Sequence, residues 1–332
     1  MNYAEFSHKV YTENIYPVLL KIKRENPHSL LTTLQANYCS PGSADGTRLY
    51  PSVLTVLAFK AINPTSELTE QIFSAAAGIE LFHNYSLTHD DVFDGHDIRR
   101  NRDTIVKSHS LSYSILVGNN MIGDTLKLFA ALQSDILQKI LLYFGQAIVD
   151  LNVGQQMDEG IAWNQLEQKE LMNHWWKTAE KKLAVGIFAV QLAAILQKKF
   201  NLLRYWTEFE KNISLISQIM NDTGDVFDYA GFYDTTPSNR PTFEETEKKF
   251  TYPLIWMAEY HNKLIREIPL DKNTMRKELR SKAYLSKAET EIEALRQKCI
   301  DNFATMNLVD SEYKNIFLDY IQGPRLPKEY LQ

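Results

Sequence analysis

Within Ile79 to Arg102, IELFHNYSLTHDDVFDGHDIRRNR, the chain concentrates acids, histidines and paired arginines. His83, Leu87, Asp90 and Asp94 step by four, three and four, so in a helix they share one face, with Asp91 beside them. Three carboxylates are thereby aimed at one point. Like charges so placed repel unless cations lie between them, and all-oxygen ligands on a rigid helix suit Mg²⁺, which bridges carboxylates to substrate phosphates. Arg99 and Arg100 follow as forked donors for phosphate oxygens. A second acidic stretch, Gln218 to Asp228 (QIMNDTGDVFD), puts Gln218, Asp222 and Asp225 on one face with Asn221 adjacent. Placed across a cavity, two such helices clamp a diphosphate through three Mg²⁺ ions and neutralise it as a carbon–oxygen bond ionises.

The elements that must position these groups are helices. Apolar residues recur every three or four positions from Tyr3 to about Glu25, and Asn26-Pro27 ends that stretch. Cys39 to Gly46 reads as a loop, and Pro51 sits where a new helix to about Ile62 places its first residue. A long helix from about Ser66 to Asp94 buries Leu68, Ile72, Ala75, Ala76 and Ile79 and carries the aspartates at its end. Helical periodicity continues over Thr104 to Leu132, Ser134 to Asp158, Gln168 to Phe200 and Tyr205 to Asp228, and strand alternation is absent. Asp228 to Thr242 reads as a mobile loop, with Thr242 and Glu245 as a capping box for the next helix. With no Gly/Ser linker and no repeat, residues 1–332 are expected to form one large all-α antiparallel bundle around a central cavity.

Composition narrows the function. The 332 residues are 44% hydrophobic, with 17 Tyr and 16 Phe, ample for a large core. A net charge of −5 and a pI near 5.9 give no electrostatic footprint for nucleic acid, so the local arginines serve a small anion. Two cysteines are too few for a disulfide framework or a cysteine-rich zinc site, which suits a cytoplasmic protein. The longest apolar run, Leu183 to Leu196, is interrupted by Gln191 and falls short of a bilayer span, and the N-terminus lacks signal-peptide character.

The pairing of DDVFD and its arginines with NDTGD resembles the trans-isoprenyl diphosphate synthase superfamily, from about Gly46 to Pro253. By that resemblance Asp90, Asp91, Asp94, Asn221, Asp222 and Asp225 bind Mg²⁺, Arg99 holds an allylic diphosphate, and Arg100 and His83 serve the isopentenyl diphosphate site. Gln218 is expected near the diphosphate. Gly154 to Asp158 (GQQMD) is similar to the family's GQxxD segment. Lys177-Thr178 is similar to its KT motif, whose lysine grips the allylic diphosphate, and Lys249 falls in a KxTxP-like KFTYP. Tyr85, five residues before Asp90, stands where short-chain members close the cavity floor, which implies a substrate of about ten to fifteen carbons. Trp163, Trp175 and Trp176 are expected mainly in core packing, with carbocation stabilisation by their ring faces as the alternative. A homodimer is expected.

The departures from the family pattern set the functional expectation. The family usually carries a glycine-lysine, two residues, then arginine-proline; here the segment is Gly46-Thr47-Arg48-Leu49-Tyr50-Pro51. Thr47 and Tyr50 thus replace two cations of the acceptor site, each charge-assisted contact being worth about 1.5–3 kcal/mol. Asn221 stands where the family usually has aspartate, and Lys248 where it has glycine. Retained ionisation with a damaged acceptor site predicts a terpene synthase that converts the allylic cation itself. The alternative is a prenyltransferase, either elongating with isopentenyl diphosphate or using another acceptor. An inactive partner subunit ranks last, because the retained acids and Arg99 would have no purpose in it.

Overall fold

The computed structural model describes residues 1–25, 29–41, 51–99, 102–159, 167–227, 251–261, 277–280 and 282–323. Tyr3 to Glu25 is continuous helix: α1 (Tyr3–Val10), one π turn (Tyr11–Ile15) and α2 (Tyr16–Glu25). Then come α3 (Leu30–Tyr38), α4 (Pro51–Ile62) and α5 (Glu70–Phe93). A two-stranded antiparallel ladder, β1 (Ile98–Arg99) and β2 (Arg102–Asp103), leads to α6 (Ile105–Ser108) and α7 (Leu111–Ala130). The bundle continues through α8 (Ser134–Glu159), α9 (Gln168–Lys182), α10 (Ala184–Leu196) and α11 (Leu203–Phe227). It closes with α12 (Tyr252–Tyr260), α13 (Lys282–Thr305) and α14 (Glu312–Gln322).

Burial follows sequence. Helices α4 and α10 are apolar nearly all round, and they lie at the centre: α10 packs on α4, α5, α8 and α11. Around this pair, α7 covers α5, α13 covers α11, and α14 lies against α4 with α1 beside it. Four helices each send one phenylalanine into a common knot, Phe82 (α5), Phe129 (α7), Phe144 (α8) and Phe188 (α10), with ring centroids 5.1–6.5 Å apart. Edge-to-face pairs of this kind add about 0.5–1.5 kcal/mol each beyond the area they bury.

Four boundaries differ from the sequence expectation. Helix α5 starts at Glu70 rather than near Ser66, because Lys60 Nζ donates to the carbonyls of Pro64 and Ser66 at 2.5 and 2.9 Å and holds that segment as a loop. The stretch after Thr104 breaks at His109, and Ser110 then caps α7 by accepting from the Tyr113 N–H at 3.3 Å. A single turn residue, Leu183, separates α9 from α10. The short β ladder is too brief to leave a period in the sequence.

Helix α8 corrects the search for apolar runs. Ser134–Asp158 is long and apolar enough, by length and composition, to cross a bilayer. In the fold its Ile136, Ile140, Phe144 and Ala147 enter the core, and the helix packs against α9 and α10. The loop expected at Asp228 to Thr242, the capping box Thr242/Glu245 and Trp163 lie outside the described residues.

Candidate active site

Helix α5 carries the first acidic motif through its last turn, with Asp94 as C-cap. Gly95 follows at φ +63°, in the left-handed region where any side chain is strained. The Asp94 N–H donates to the Asp90 carbonyl at 2.8 Å and the His96 N–H to the Asp91 carbonyl at 3.1 Å, so the chain reverses directly after the third aspartate. That reversal delivers β1, and Arg99 returns to donate through Nε to Oδ1 of Asp91 at 2.7 Å. Asp91 is 1% exposed in this pair, and His96 Nδ1 lies 3.7 Å from it.

The three carboxylates therefore divide rather than converge. One residue of helix rotation turns Asp91 inward onto Arg99, while Asp90 and Asp94, one turn apart, are partly exposed. His83 is two turns below on the same helix and half-buried. Among the described residues no group of three or more His, Cys, Asp or Glu side chains forms a self-contained metal site. The residues fit Mg²⁺ all the same. It keeps waters and binds through one or two carboxylates plus substrate phosphates, and Asp90 with Asp94 presents that donor set.

Helix α9 runs between the two acidic motifs. At its C-terminal end Lys182 Nζ donates to Asp158 Oδ2 at 2.6 Å, and Lys181 pairs with Asp150. Gly154 stands midway between Asp150 and Asp158 on α8 and allows the approach: a Cβ there would lie 2.7 Å from the Lys182 backbone nitrogen. Burial works against the Lys182 ammonium, but Asp158, and after it Asp90 and Asp94, hold its pKa above the ordinary lysine value. Lys177, the expected diphosphate lysine, is exposed on this helix, and Thr178 beside it is buried.

The second motif sits in the last turns of α11. Asp222 is 5% exposed and saturated with donors. Its Oδ2 accepts from Trp175 Nε1 at 2.9 Å and from the Tyr252 N–H at 2.8 Å, and its Oδ1 accepts from Gln218 Nε2 at 2.6 Å. Asp222 thereby ties α9, α11 and the start of α12 together. Trp175 joins the site through its N–H and packs its ring against Trp176 and Tyr252, with centroids 4.9 and 5.1 Å away. Asn221, next to Asp222, is partly exposed. Asp225 lies in α11, but its side chain is outside the described set, as are Thr47, Arg48, Tyr50, Arg100 and Lys249 altogether.

Tyr85 lies between the acidic turn and the phenylalanine knot. It is buried, stacks on Phe82 with centroids 6.1 Å apart, and meets the His89 ring at 4.5 Å. Burial raises the Tyr85 pKa, opposed by a hydrogen bond to the Asn152 side chain of α8. Burial also lowers the His89 pKa, opposed by a hydrogen bond to the Ile115 backbone.

Sequence reasoning missed three contributors. The Lys182–Asp158 pair was hidden because Lys182 reads as one of several lysines in a charged helix end. Arg102 donates to Ser40 Oγ at 2.7 Å and to the Asn37 carbonyl at 3.3 Å, tying the β ladder to the end of α3. Asn152 carried no signal at all, since its partner is remote in sequence.

The helical bundle with an aspartate-bearing turn at the end of α5 is the isoprenoid synthase fold. A polyprenyl synthetase from Streptomyces coelicolor A3(2) superposes with a TM-score of 0.74 over 96% of this chain and 98% of its own, at 17% identity. The chain belongs to the polyprenyl synthetase family, whose sequence profile matches residues 33–287. It is 28% identical over 186 residues to a short chain isoprenyl diphosphate synthase of Methanocaldococcus jannaschii, covering 55% of this chain and 54% of that one. It is 31% identical over 174 residues to a geranylgeranyl diphosphate synthase of Cereibacter sphaeroides, covering 52% and 57%. The chain thus spans about half the length of these curated relatives.

Proposed function

We propose that this protein is a Mg²⁺-dependent trans-prenyltransferase that ionises a short allylic diphosphate and transfers the prenyl cation to isopentenyl diphosphate. The observation that carries the proposal is the Asp90–Asp94 pair on the last turn of α5, with Arg99 folded back onto Asp91, in a chain of the polyprenyl synthetase family. The relatives named above are diphosphate synthases, and this moves the reading from the terpene synthase expected from sequence to the prenyltransferase alternative.

In this reading Asp90, Asp94, Asn221 and Asp225 hold the ions, with Asp91 and Asp222 ordering Arg99, Trp175 and Tyr252 around them. Bound Mg²⁺, three ions by family resemblance, supplies Lewis-acid stabilisation of the departing diphosphate. Arg99, Lys177, Gln218 and Lys249 bind the diphosphate oxygens. The allylic carbon–oxygen bond breaks with its electrons going to the diphosphate, the acceptor alkene forms the new carbon–carbon bond, and a proton leaves the resulting cation. His83 and Arg100 orient the acceptor, and Tyr85 with the phenylalanine knot limits chain length. Release of inorganic diphosphate from dimethylallyl, geranyl or farnesyl diphosphate in the presence of isopentenyl diphosphate, abolished by EDTA and restored by Mg²⁺, tests this. No release from any of them refutes it.

One observation favours a second reading. Thr47 and Tyr50 stand where the family has cations, and loss of both weakens acceptor binding by on the order of a thousandfold, which favours conversion of the cation to a terpene.

We also propose that residues 1–332 act as one unit and that a second copy covers the outward sides of α7 and α8. Ile115, Leu116, Leu126, Leu141, Leu142 and Val149 are exposed there, an apolar surface that costs solubility unless it is covered. Sedimentation of the protein as a monomer at micromolar concentration would remove this assignment.

A further inference from the structure

We propose that Glu80, with Tyr11 as its relay, is a positioning residue for the acceptor: together they pin both flanks of the segment that carries Thr47 and Tyr50 to the helix that carries His83. The inference rests on the reading of this chain as a transferase to isopentenyl diphosphate and adds two residues which that reading does not contain.

Glu80 lies in α5, three residues before His83, and is 0% exposed. A carboxyl group enclosed in this way persists where hydrogen bonds hold it. Its Oε2 accepts from Ser52 Oγ at 2.8 Å and its Oε1 from Asn84 Nδ2 at 2.8 Å. Ser52 is the second residue of α4, directly after Pro51. On the other flank, the Tyr11 hydroxyl donates to the carbonyl of Cys39, the C-cap of α3, and shares that proton with Glu80 Oε1, 3.3 Å away. Tyr11 is itself fully buried and opens the π turn of the N-terminal helix, a distortion that helices frequently carry at functional positions. Buried Glu210, by contrast, accepts from Ser214 of its own helix.

These struts end within a few residues of the groups assigned to the acceptor. Ser52 follows Tyr50 by two residues and Thr47 by five, and Cys39 precedes both. His83 is about one helical turn along α5 from Glu80. Arg102, two residues after Arg100, donates to the Asn37 carbonyl and to Ser40 Oγ, so β2 is tied to the same end of α3. Glu80 and Tyr11 therefore fix where α3 and α4 stand relative to α5. Placement matters more here than in a site with its full set of cations, because Thr47 and Tyr50 supply no charge to draw a diphosphate in.

The test uses the full-length protein and two variants that each remove a single hydroxyl, Tyr11→Phe and Ser52→Ala. Each is expected to raise the KM for isopentenyl diphosphate about fivefold, the worth of one buried hydrogen bond, with the KM for geranyl diphosphate within twofold of wild type. Glu80→Gln keeps an acceptor for Asn84 and Tyr11 and offers its amide to Ser52 Oγ, so it should stay within twofold of wild type on both. Amide hydrogen exchange gives a readout that does not depend on turnover: peptides covering residues 36–41 and 51–58 should exchange faster in Tyr11→Phe and Ser52→Ala, and those covering residues 168–182 should not change. Exchange unchanged at both flanks overturns the inference. Faster exchange with an unchanged acceptor KM, or an equal rise in both KM values, reduces Glu80 to a structural contact and overturns it as well. A wild type that never consumes isopentenyl diphosphate refutes the transferase reading and this inference together. A wild type that consumes it, with variants that keep its KM, refutes the inference alone.

Discussion

Arg99 Nε donates to Asp91 Oδ1 at 2.7 Å, so the arginine expected to hold substrate is itself positioned by the middle aspartate of the first motif. The link depends on Gly95, whose left-handed backbone reverses the chain between them. Its consequence is that the three aspartates are not interchangeable. Asp90→Ala/Asp91→Ala is expected to lower Mg²⁺-dependent diphosphate release at least about a hundredfold with unchanged helicity by circular dichroism. Asp91→Asn alone should act like Arg99→Ala, and the double variant should lose little more than either single one. Wild-type release from the Asp90→Ala/Asp91→Ala protein would show that these acids are surface groups.

Chain length follows from the layer below. Tyr85 stacks on Phe82 and is tethered to Asn152, so removing its ring opens space toward the phenylalanine knot. Tyr85→Ala is expected to shift the preferred allylic diphosphate, or the longest product, by at least one five-carbon unit. If the wild type already prefers chains of twenty carbons or more, measured by competition among substrates, the floor is elsewhere.

Glu210, buried in α11 away from the site, gives a pH signature of stability. Burial pushes its carboxyl pKa up to about 8, with the Ser214 hydroxyl opposing through a hydrogen bond at 2.9 Å. The folded-state pKa lies above the unfolded one, so folding carries no penalty from this group below about pH 4.5. Stability then falls as pH rises to about 8 and is level beyond. Glu210→Gln should raise the thermal midpoint by a few degrees at pH 8.5 and by less at pH 5. An equal shift at both values would mean that the carboxyl does not titrate in this window.

The altered acceptor segment makes a kinetic prediction. Thr47→Lys with Tyr50→Arg restores two phosphate donors, and the KM for isopentenyl diphosphate should fall at least about tenfold with a smaller change in kcat. A fall in kcat with unchanged KM would place the segment away from the acceptor.

Much of the fold was legible because helix periods and breakers are local. Pro51 starts α4 and Asn26-Pro27 lies just beyond α2, both as read. The start of α5 was not, because Lys60 captures the Pro64 and Ser66 carbonyls from the preceding helix. At the site, spacing correctly put Asp90 and Asp94 on one side of α5, yet it gave no sign that Asp91 turns to Arg99 or that Asp222 is enclosed by Trp175, Gln218 and the Tyr252 N–H. Those partners come from a chain reversal and from other helices, and periodicity within one helix carries no information about them. The same holds for the Lys182–Asp158 pair, which forms where Gly154 admits α9 to α8.

Incubating the wild-type protein with geranyl or dimethylallyl diphosphate, labelled isopentenyl diphosphate and Mg²⁺, then separating diphosphate, alcohol and hydrocarbon products, tests prenyl transfer most directly. Prenyl transfer predicts that label enters longer allylic diphosphates as the dominant product and that diphosphate release requires the acceptor. Release at the same rate without isopentenyl diphosphate, with no label incorporated and a hydrocarbon or alcohol as product, would contradict it and leave terpene formation as the reaction of this chain.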